Sequence, residues 1–286
     1  MERILITGAA GAIGGLLRTE LAHPDRELVL LDVVAPPEPA PGERARTVTA
    51  SVDDLDALLA AADGADAIVH LANLIEDETW QDYARINISG TYNVLEAARR
   101  CGVGRVIYAS SNHAVGFTER PADGREVPAT LAPRPDSYYG VCKVASEALC
   151  SLYHDRHGLD AICLRIGSCR PDPNDRRCLW SWLSYPDVVR LVQAALTAPA
   201  PGFRIVWGVS ANTRRWWSLE EGRAIGYEPH DDAEDHLEAI LTADPEPGPA
   251  PDRSGSHAAA ERPELLGGPY TAPDFDAPGR TGPAGV

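Results

Sequence analysis

Short apolar runs alternate with longer segments of helical periodicity along the first 170 residues of the chain. The apolar runs lie at residues 3–7, 27–31, 67–71, 105–109 and 161–165, and a further short strand is predicted at 45–49. Between them, apolar positions three and four residues apart predict helices that end near Leu21 and Asp63 and helices over residues 82–101 and 137–157. Strands and helices that alternate in this way predict an α/β fold built on a doubly wound parallel sheet.

The alternation ends after Pro171, and residues 1–169 are therefore predicted to form the core. Residues 170–243 contain a predicted helix at 186–197, a strand at 203–207 and a short helix that Trp216-Trp217 opens. We interpret them as a small C-terminal lobe that covers the carboxyl edge of the sheet. Its tryptophans would form the lobe's core, with a stacking platform for a sugar as the alternative. Residues 244–286 are rich in Pro and Gly and predict a largely flexible tail, in which 265–270 could pack on the body.

Composition narrows the range of partners. The formal net charge of −16 over 286 residues disfavours nucleic acid and membrane surfaces, although a local arginine can still bind a small acidic molecule. No apolar stretch approaches the roughly 18 residues of a membrane span, and no signal peptide is apparent. The six cysteines show no metal-binding spacing, so we expect reduced thiols, no metal site and a cytoplasmic protein.

A glycine-rich turn follows the first apolar run. Gly8, Gly11 and Gly14 are spaced G-x2-G-x2-G where a predicted strand gives way to a predicted helix. Glycines there let the backbone approach a pyrophosphate, whose charge the free amides of the helix N-terminus stabilise. The second strand ends in Asp32, whose carboxylate can bind the ribose hydroxyls of adenosine and repel a 2′-phosphate. The turn therefore predicts a Rossmann-type dinucleotide site that prefers NAD to NADP.

Two polar features indicate chemistry beside that site. The strand at 105–109 is followed by the polar cluster 110–113, at the edge of the sheet where open α/β sheets bind ligands. Lys143, the single lysine of the chain, follows Tyr139 by four residues, so both side chains can lie on one face of a helix. A nearby cation favours ionisation of a phenol. The pair therefore predicts a tyrosine general base, with a surface Tyr–Lys pair as the structural alternative.

In this order and spacing, the glycine turn, Asp32, Ser111 and Tyr139-x3-Lys143 resemble the extended short-chain dehydrogenase/reductase superfamily. The resemblance implies three catalytic residues. Tyr139 would accept the proton, Lys143 would lower the pKa of Tyr139 and bind the nicotinamide ribose, and Ser111 would bond to the reacting oxygen. It also implies NAD as the cofactor, held by Gly8, Ala10, Gly11, Ala12, Ile13, Gly14, Asp32, Leu71, Ala72, Asn87, Tyr139, Lys143 and Ile166.

Longer segments are similar to one group of this superfamily, the uronate dehydrogenases. They are residues 108–117, 135–143, 164–169, 175–177, 182–184, 208–212, 216–217 and 226–229. The resemblance implies oxidation of galacturonate or glucuronate, small sugar acids, at C1 to a lactone. By position, it implies substrate contacts at Ser111, Asn112, His113, Ser168 and Arg177. Asn73 is added as a substrate contact because it could replace a serine that this chain lacks. Arg177 would bind the carboxylate, with Arg176 as its competitor. Ile75 stands where the group has that serine, which reaches the sugar. Either Asn73 substitutes for it or the substrate lacks or inverts that hydroxyl, so the identity of the sugar is less fixed than the reaction.

Two other functions share these residues. A nucleotide-sugar epimerase or dehydratase would keep the glycines, Ser111, Tyr139 and Lys143, but the short segment after Arg165 leaves little room for a diphosphate-nucleotide site. A non-catalytic dinucleotide sensor of the same fold would not need Tyr139 and Lys143. By analogy we also expect a homo-oligomer, with the helices at 82–101 and 137–157 as a dimer face.

Overall fold

The structure, a computed structural model, describes residues 1–75, 78–244, 265–272 and 275 of the chain. Its strands are β1 Glu2–Thr7, β2 Arg26–Asp32, β3 Ala45–Thr49, β4 Ala67–His70, β5 Arg105–Ser111, β6 Asp160–Ile166, β7 Ser168–Cys169, β8 Trp182–Leu183 and β9 Phe203–Gly208. One seven-stranded parallel sheet has the order β3-β2-β1-β4-β5-β6-β9, and β7 pairs separately with β8. The predicted doubly wound parallel sheet is confirmed.

Helices connect the strands and lie on both faces of the sheet. They are α1 Ala12–Glu20, α2 Leu55–Ala62, α3 Trp80–Asp82, α4 Gly90–Cys101, α5 Tyr138–His157, α6 Cys178–Ser181, α7 Tyr185–Thr197, α8 Glu220–Arg223 and α9 Leu237–Ala243. A π-helix, Tyr83–Ser89, joins α3 to α4, and 3-10 turns lie at Asn112–Val115, Ala233–His236 and Gly268–Thr271. The helix predicted at 82–101 therefore exists, but its first part has the wider π winding.

Two apolar cores enclose the sheet, one on each face. Strand β1 shows the division, because Ile4 and Ile6 pack in the core that contains residues of α1 and α7, whereas Leu5 packs in the core that contains residues of α2, α4 and α5. All three of these side chains are fully buried. A strand that is buried on both faces has a continuous apolar sequence, which explains why the pattern of the chain located the sheet.

The direction of winding reverses between β1 and β4, which are neighbours in the sheet. From β1 the chain moves outward to β2 and β3, and from β4 it moves the opposite way to β5, β6 and β9. The loops after β1 and β4 diverge at this point and leave a crevice at the carboxyl edge, where α/β sheets bind ligands. The glycine-rich turn and the polar residues after β5 both lie at this edge.

The segment 170–243 contributes to the main sheet instead of forming a lobe throughout. Strand β9 pairs with β6, with Cys163 opposite Ile205, and becomes the outer strand. Residues of α7 pack in the same core as residues of α1. Without β9, strand β6 would present a row of unpaired backbone groups, so the added strand protects that edge.

The tryptophans of this segment pack in apolar cores, as expected, and do not form a stacking platform for a sugar. Trp207 and Trp217 are 1% and 0% exposed, and their rings stack with centroids 4.5 Å apart. Trp217 lies in an extended bridge with Val127, so the helix predicted to open there is wrong. The helix of this region begins later, at Glu220.

Part of the C-terminal segment packs on the body, as the sequence allowed for residues 265–270 within the tail predicted at 244–286. Leu265 and Leu266 are buried, and backbone hydrogen bonds join this segment to residues 116 and 118. Residues 245–264, 273–274 and 276–286 lie outside the described residues. In the described part of the chain, no helix combines the length and the apolar character that a membrane crossing requires.

Candidate active site

The glycine-rich turn brings the end of β1 against the end of β4. Gly8 has a φ of +74°, and a Cβ there would lie 2.7 Å from the backbone nitrogen of Ala72. A Cβ on Gly14 would lie 2.3 Å from the carbonyl oxygen of Gly8. Only glycine fits where two backbones approach this closely. The turn is thus shaped to present backbone amides at the start of α1, as a pyrophosphate requires.

Asp32 ends β2 beside this turn. Its carboxylate oxygens accept hydrogen bonds from the amides of Ala10 and Val34, at 2.9 and 3.1 Å. These bonds fix the orientation of the carboxylate, and its remaining lone pairs can accept the hydroxyls of a ribose. Ala10 therefore contributes by orienting Asp32 through its backbone.

A cavity of about 580 Å³ lies between the glycine-rich turn and α5. Most of the predicted cofactor residues line it: Gly8, Gly11, Ala12, Ile13, Gly14, Asp32, Leu71, Ala72, Tyr139 and Lys143. Asn73, predicted to contact substrate, lines the same cavity, whereas Ile166 ends β6 outside its wall. Asp32 and the Tyr139–Lys143 pair share one continuous space, an arrangement that fits an extended dinucleotide.

Asn87 supports this cavity from behind. It lies in the π-helix, is fully buried and forms two hydrogen bonds of 2.8 Å with the backbone of Leu74. The backbone carbonyl of Asn87 accepts hydrogen bonds from the hydroxyls of Thr91 and Ser146, at 2.6 and 3.1 Å. π turns occur frequently at functional sites because they release a backbone group for other partners. Asn87 therefore holds the loop after β4 against the cavity and does not line the cavity itself.

Helix α5 carries the predicted catalytic pair on its buried face. Ser137 caps the helix by accepting a hydrogen bond from the amide of Gly140 at 3.1 Å, so Tyr139 and Lys143 occupy its first two turns. Lys143 is 1% exposed, and its ammonium lies 5.0 Å from the centre of the Tyr139 ring. The ammonium also donates to the carbonyl of Ala109 in β5. The two side chains thus meet beside the carboxyl end of β5.

Burial controls the ionisation of this pair. It lowers the pKa of Lys143 to about 7 and raises the pKa of the Tyr139 phenol well above its usual value. An interaction with the Ser111 hydroxyl lowers the pKa of Tyr139, but burial outweighs it. The pKa of Tyr139 is therefore raised, whereas the sequence predicted that Lys143 would lower it. The reason is that a low-dielectric pocket disfavours the charged form of both groups.

The polar cluster after β5 lies next to Tyr139. Ser111 ends the strand and accepts a hydrogen bond from the amide of His113 at 3.2 Å, which caps the following 3-10 turn. His113 bonds through Nδ1 to Asp136 at 2.8 Å, and its ring meets that of Tyr139 edge-on, with centroids 5.9 Å apart. Asn112 lies between Ser111 and His113 in the chain and is 2% exposed. One turn therefore presents the predicted serine and two predicted sugar ligands to the predicted base.

Ser168 and Arg177 meet in the segment after β6. Arg177 donates from Nη1 to the Ser168 hydroxyl at 2.9 Å, and its guanidinium lies 5.4 Å over the ring of Trp180. Burial lowers the pKa of this guanidinium. Arg176 bonds through its amide and Nε to Asp244, at 2.9 and 3.0 Å. The structure therefore brings Arg177, and not Arg176, to the predicted substrate residue Ser168.

Some site residues were missed from the sequence. The carbonyl of Leu266 accepts hydrogen bonds from Asn112 and Arg177, which joins the two groups of predicted sugar ligands. No local pattern indicated this contact. Asp136 orients His113 and stood inside the motif at 135–143, where its position before a helix was the available signal. Further cavity residues follow the ends of strands, among them Val33, Ser51 and Leu74.

Comparison with known proteins places the chain in a family. Residues 4–169, more than half of the chain, match the NAD dependent epimerase/dehydratase family. The chain belongs to this family. Membership confirms the prediction of an NAD-dependent enzyme.

Within the NAD-dependent epimerase/dehydratase family, the chain is similar to dehydrogenases of sugars and sugar acids. It is 40% identical over 252 residues to the uronate dehydrogenase of Agrobacterium fabrum, covering 87% of this chain and 92% of that protein. It is 38% identical over 256 residues to the L-arabinose 1-dehydrogenase (NAD(P)(+)) of Haloferax volcanii, covering 82% and 98%. A mutant uronate dehydrogenase from Agrobacterium tumefaciens complexed with NAD superposes with a TM-score of 0.83 at 35% identity, covering 95% and 97%. The predicted resemblance to uronate dehydrogenases is confirmed.

Proposed function

We propose that the protein oxidises a free hexuronate, galacturonate or glucuronate, at C1 to the aldarolactone with NAD. The observation that carries this proposal is the position of Arg177. Its partly buried guanidinium bonds to Ser168 and shares the Leu266 carbonyl with Asn112, next to the turn that carries His113. A guanidinium presents parallel donors that match a carboxylate, so this corner of the site suits the acid group of a uronate.

The roles of the reacting residues follow from their positions. When bound, NAD supplies the hydride acceptor for the C1 hydrogen. Tyr139 in its phenolate form takes the proton of the anomeric hydroxyl, and the Ser111 hydroxyl bonds to the same oxygen. Protonated Lys143 favours the phenolate by its charge. Loss of one proton and one hydride converts the C1 hemiacetal into the lactone, which balances the reaction.

The remaining side chains would orient the sugar. Arg177 fixes the carboxylate at one end of the substrate, and Asn112 and His113 bind ring hydroxyls near Tyr139. Contacts at both ends hold C1 in one orientation, and correct orientation accelerates the transfer beyond what binding alone contributes.

The direct test is an assay of the purified protein with NAD, following the absorbance of reduced nicotinamide. The panel contains galacturonate, glucuronate, galactose, glucose, L-arabinose and a UDP-hexuronate. We expect reduction of NAD with at least one free uronate, and lactone as the first product by NMR. Activity on the UDP-sugar alone would replace the proposal with a nucleotide-sugar enzyme. No turnover on any sugar, together with tight NAD binding, would favour a dinucleotide sensor.

A neutral-sugar dehydrogenase is the second candidate. Ile75 lines the cavity where the resemblance leads us to expect a serine, and an L-arabinose 1-dehydrogenase is among the similar proteins. Higher kcat/KM for L-arabinose than for both uronates in the same panel would favour this candidate.

We also propose that the enzyme is a cytoplasmic homo-oligomer. All six cysteines are free thiols, which suits a reducing compartment. Apolar side chains remain exposed along α5, for example Val141 and Leu152 at 37% and 41%. Such a face suits contact with a second copy of the chain.

A further inference from the structure

The C-terminal residues 265–272, here called the strap, lie across the turn that follows β5. The amide of Leu266 donates to the carbonyl of Thr118 at 3.0 Å, and the amide of Gly267 donates to that of Gly116 at 2.8 Å. Leu265 forms an antiparallel bridge with Glu119. Leu265 and Leu266 are 5% and 0% exposed, so burial of both side chains anchors the strap.

One carbonyl of the strap holds two predicted sugar ligands. The Leu266 oxygen accepts hydrogen bonds from Nδ2 of Asn112 at 3.1 Å and from Nη2 of Arg177 at 3.2 Å. A carbonyl accepts but cannot donate, so it fixes which end of the Asn112 amide faces the strap. The side-chain oxygen Oδ1 of Asn112 then faces Ser111, and it lies 3.5 Å from the Ser111 hydroxyl. The strap thereby sets the orientation of both side chains.

His113, the third residue predicted to bind the sugar, is held by the ring of Tyr270. Tyr270 stacks on His113 with centroids 3.9 Å apart and on Phe275 at the same distance. Two rings cannot both stack at this distance on one face, so His113 and Phe275 cover opposite faces of Tyr270. Tyr270 is therefore closed to a sugar ring. Because Nδ1 of His113 bonds to Asp136, Nε2 is the ring nitrogen that is left to bind a substrate hydroxyl.

Two glycines let the strap approach this closely. A Cβ on Gly267 would lie 1.8 Å from Oδ2 of Asp136, the oxygen that bonds to His113. Gly268 has a φ of +55°, and its Cβ would lie 2.8 Å from Nε of Arg177. A side chain at either position would push the strap away from the groups it holds.

We propose that the strap is a positioning element of the sugar site, which holds Asn112, His113 and Arg177 in the geometry that binds substrate. This inference rests on the proposed function, since it assigns substrate binding to those three residues. The strap acts through them and does not touch the reacting atoms. Its loss should therefore change the KM for the sugar before it changes the binding of NAD, whose cavity the strap does not line.

Variants of Tyr270 test the aromatic contact. Tyr270→Leu removes the stack on His113, and we expect the KM for the uronate to rise about three- to tenfold, as for loss of an aromatic pair. Tyr270→Phe retains the stack and should restore kcat/KM to within about twofold of the parent on the same basis. The Kd of NADH should stay unchanged in both. Tyr92→Leu, which removes an edge contact with Tyr153 on the outer side of α4, is the control.

Gly267→Ala tests the backbone contact with Asp136, and we expect a larger increase in KM than for Tyr270→Leu because both His113 and Asp136 are displaced. Gly104→Ala is the matched control, since a Cβ at Gly104 meets no atom within 4 Å. Unchanged KM in both Tyr270→Leu and Gly267→Ala, with only a lower Tm, would overturn the proposal and leave the strap a structural element.

A second readout does not depend on the substrate. Diethyl pyrocarbonate acylates accessible neutral imidazoles, and mass spectrometry of peptides gives the rate at each histidine. The side chain of His113 is 11% exposed under the strap, whereas that of His23 is 61% exposed and serves as the internal reference. Relative to His23, the rate at His113 should rise at least fivefold in Tyr270→Leu and stay low in Tyr270→Phe. If the parent protein oxidised no uronate, this measurement would still decide whether the strap holds His113. Equal rates in all three proteins would overturn the proposal.

Discussion

At the scale of single residues, Tyr139 is the group on which the chemistry depends. It is buried beside Ser111 and Lys143, and burial raises its pKa, so its conversion to the phenolate must be assisted by charge in the complete site. Tyr139→Phe removes the acid–base group and should lower kcat by about 10²–10⁴-fold. NAD binding, measured by fluorescence titration, should survive. Tyr138→Phe is the control, because Tyr138 is 47% exposed on the other side of α5. Full activity in Tyr139→Phe would transfer the role to another residue.

Arg177 decides between an acidic and a neutral substrate. Hydrogen bonds to charged groups contribute about 1.5–3 kcal/mol, so Arg177→Ala should lower kcat/KM for the uronate by about 10- to 100-fold. The rate with the corresponding neutral hexose should change little, because that sugar lacks the carboxylate. Arg176→Ala should leave both rates unchanged, since Arg176 bonds to Asp244. A parallel fall in both rates for Arg177→Ala would mean that Arg177 supports the fold and not the selection of substrate.

His70 should make the fold sensitive to acid. Its ring is fully buried between the hydroxyls of Thr7 and Thr91, at 2.7 and 3.1 Å, and burial lowers its pKa to about 3. Between pH 3 and the unfolded value of about 6.5, the unfolded chain binds a proton that the folded chain does not. Stability therefore falls as the pH falls through this window, by at most about 1.4 kcal/mol per pH unit from this group. Urea unfolding from pH 4 to 7 should show a shallower slope for His70→Gln, and parallel slopes would contradict the assignment.

At the scale of elements, the π-helix between α3 and α4 connects the cofactor cavity to α5. Asn87 holds the loop after β4 by two bonds to Leu74, and its carbonyl also accepts the hydroxyl of Ser146 on α5. Asn87→Ala should release that loop and raise the Kd of NAD about tenfold, because two backbone groups of Leu74 lose their partners. Isothermal titration gives the Kd. Gln193→Ala, an exposed amide of α7, is the control, and an equal Kd in both variants would show that the loop does not need Asn87.

The elements also show which parts of the site the sequence could predict. Gly8, Asp32 and the Tyr139–Lys143 pair depend on short spacings or on a place at the end of one strand, and the structure puts them around one cavity. The contact between Leu266 and Asn112 spans 154 residues, so no local pattern contains it. Strand β9 was predicted as a strand, but its partner was not, because pairing with β6 depends on the open edge of a completed sheet. The sequence predicted a lowered pKa for Tyr139, whereas burial raises it. Burial is a property of the assembled fold, so no local pattern reveals it.

At the scale of the whole molecule, the site is assembled from distant parts of the chain. The first half supplies the cofactor cavity and the turn after β5, the segment after β6 supplies Ser168 and Arg177, and the strap joins these parts. The net charge of −16 would repel an acidic substrate at long range, so a local cation such as Arg177 is needed to bind a carboxylate. The sugar site should therefore form only when the folded body and its C-terminal segment come together.

The outer face of α5 leads to the last prediction. Tyr138, Val141, Ala145, Ala148 and Leu152 are spaced three and four residues apart and form one apolar face, opposite the face that buries Tyr139 and Lys143. A second copy of the chain would cover this face. Sedimentation velocity should give a multiple of 30.7 kDa for the parent and 30.7 kDa for a Val141→Glu, Leu152→Glu double variant, because two buried glutamates per subunit oppose association. Leu241→Glu, at a side chain that is 37% exposed on α9, should keep the mass of the parent. A parent of 30.7 kDa would refute the homo-oligomer, and an unchanged mass in the double variant would place the interface elsewhere.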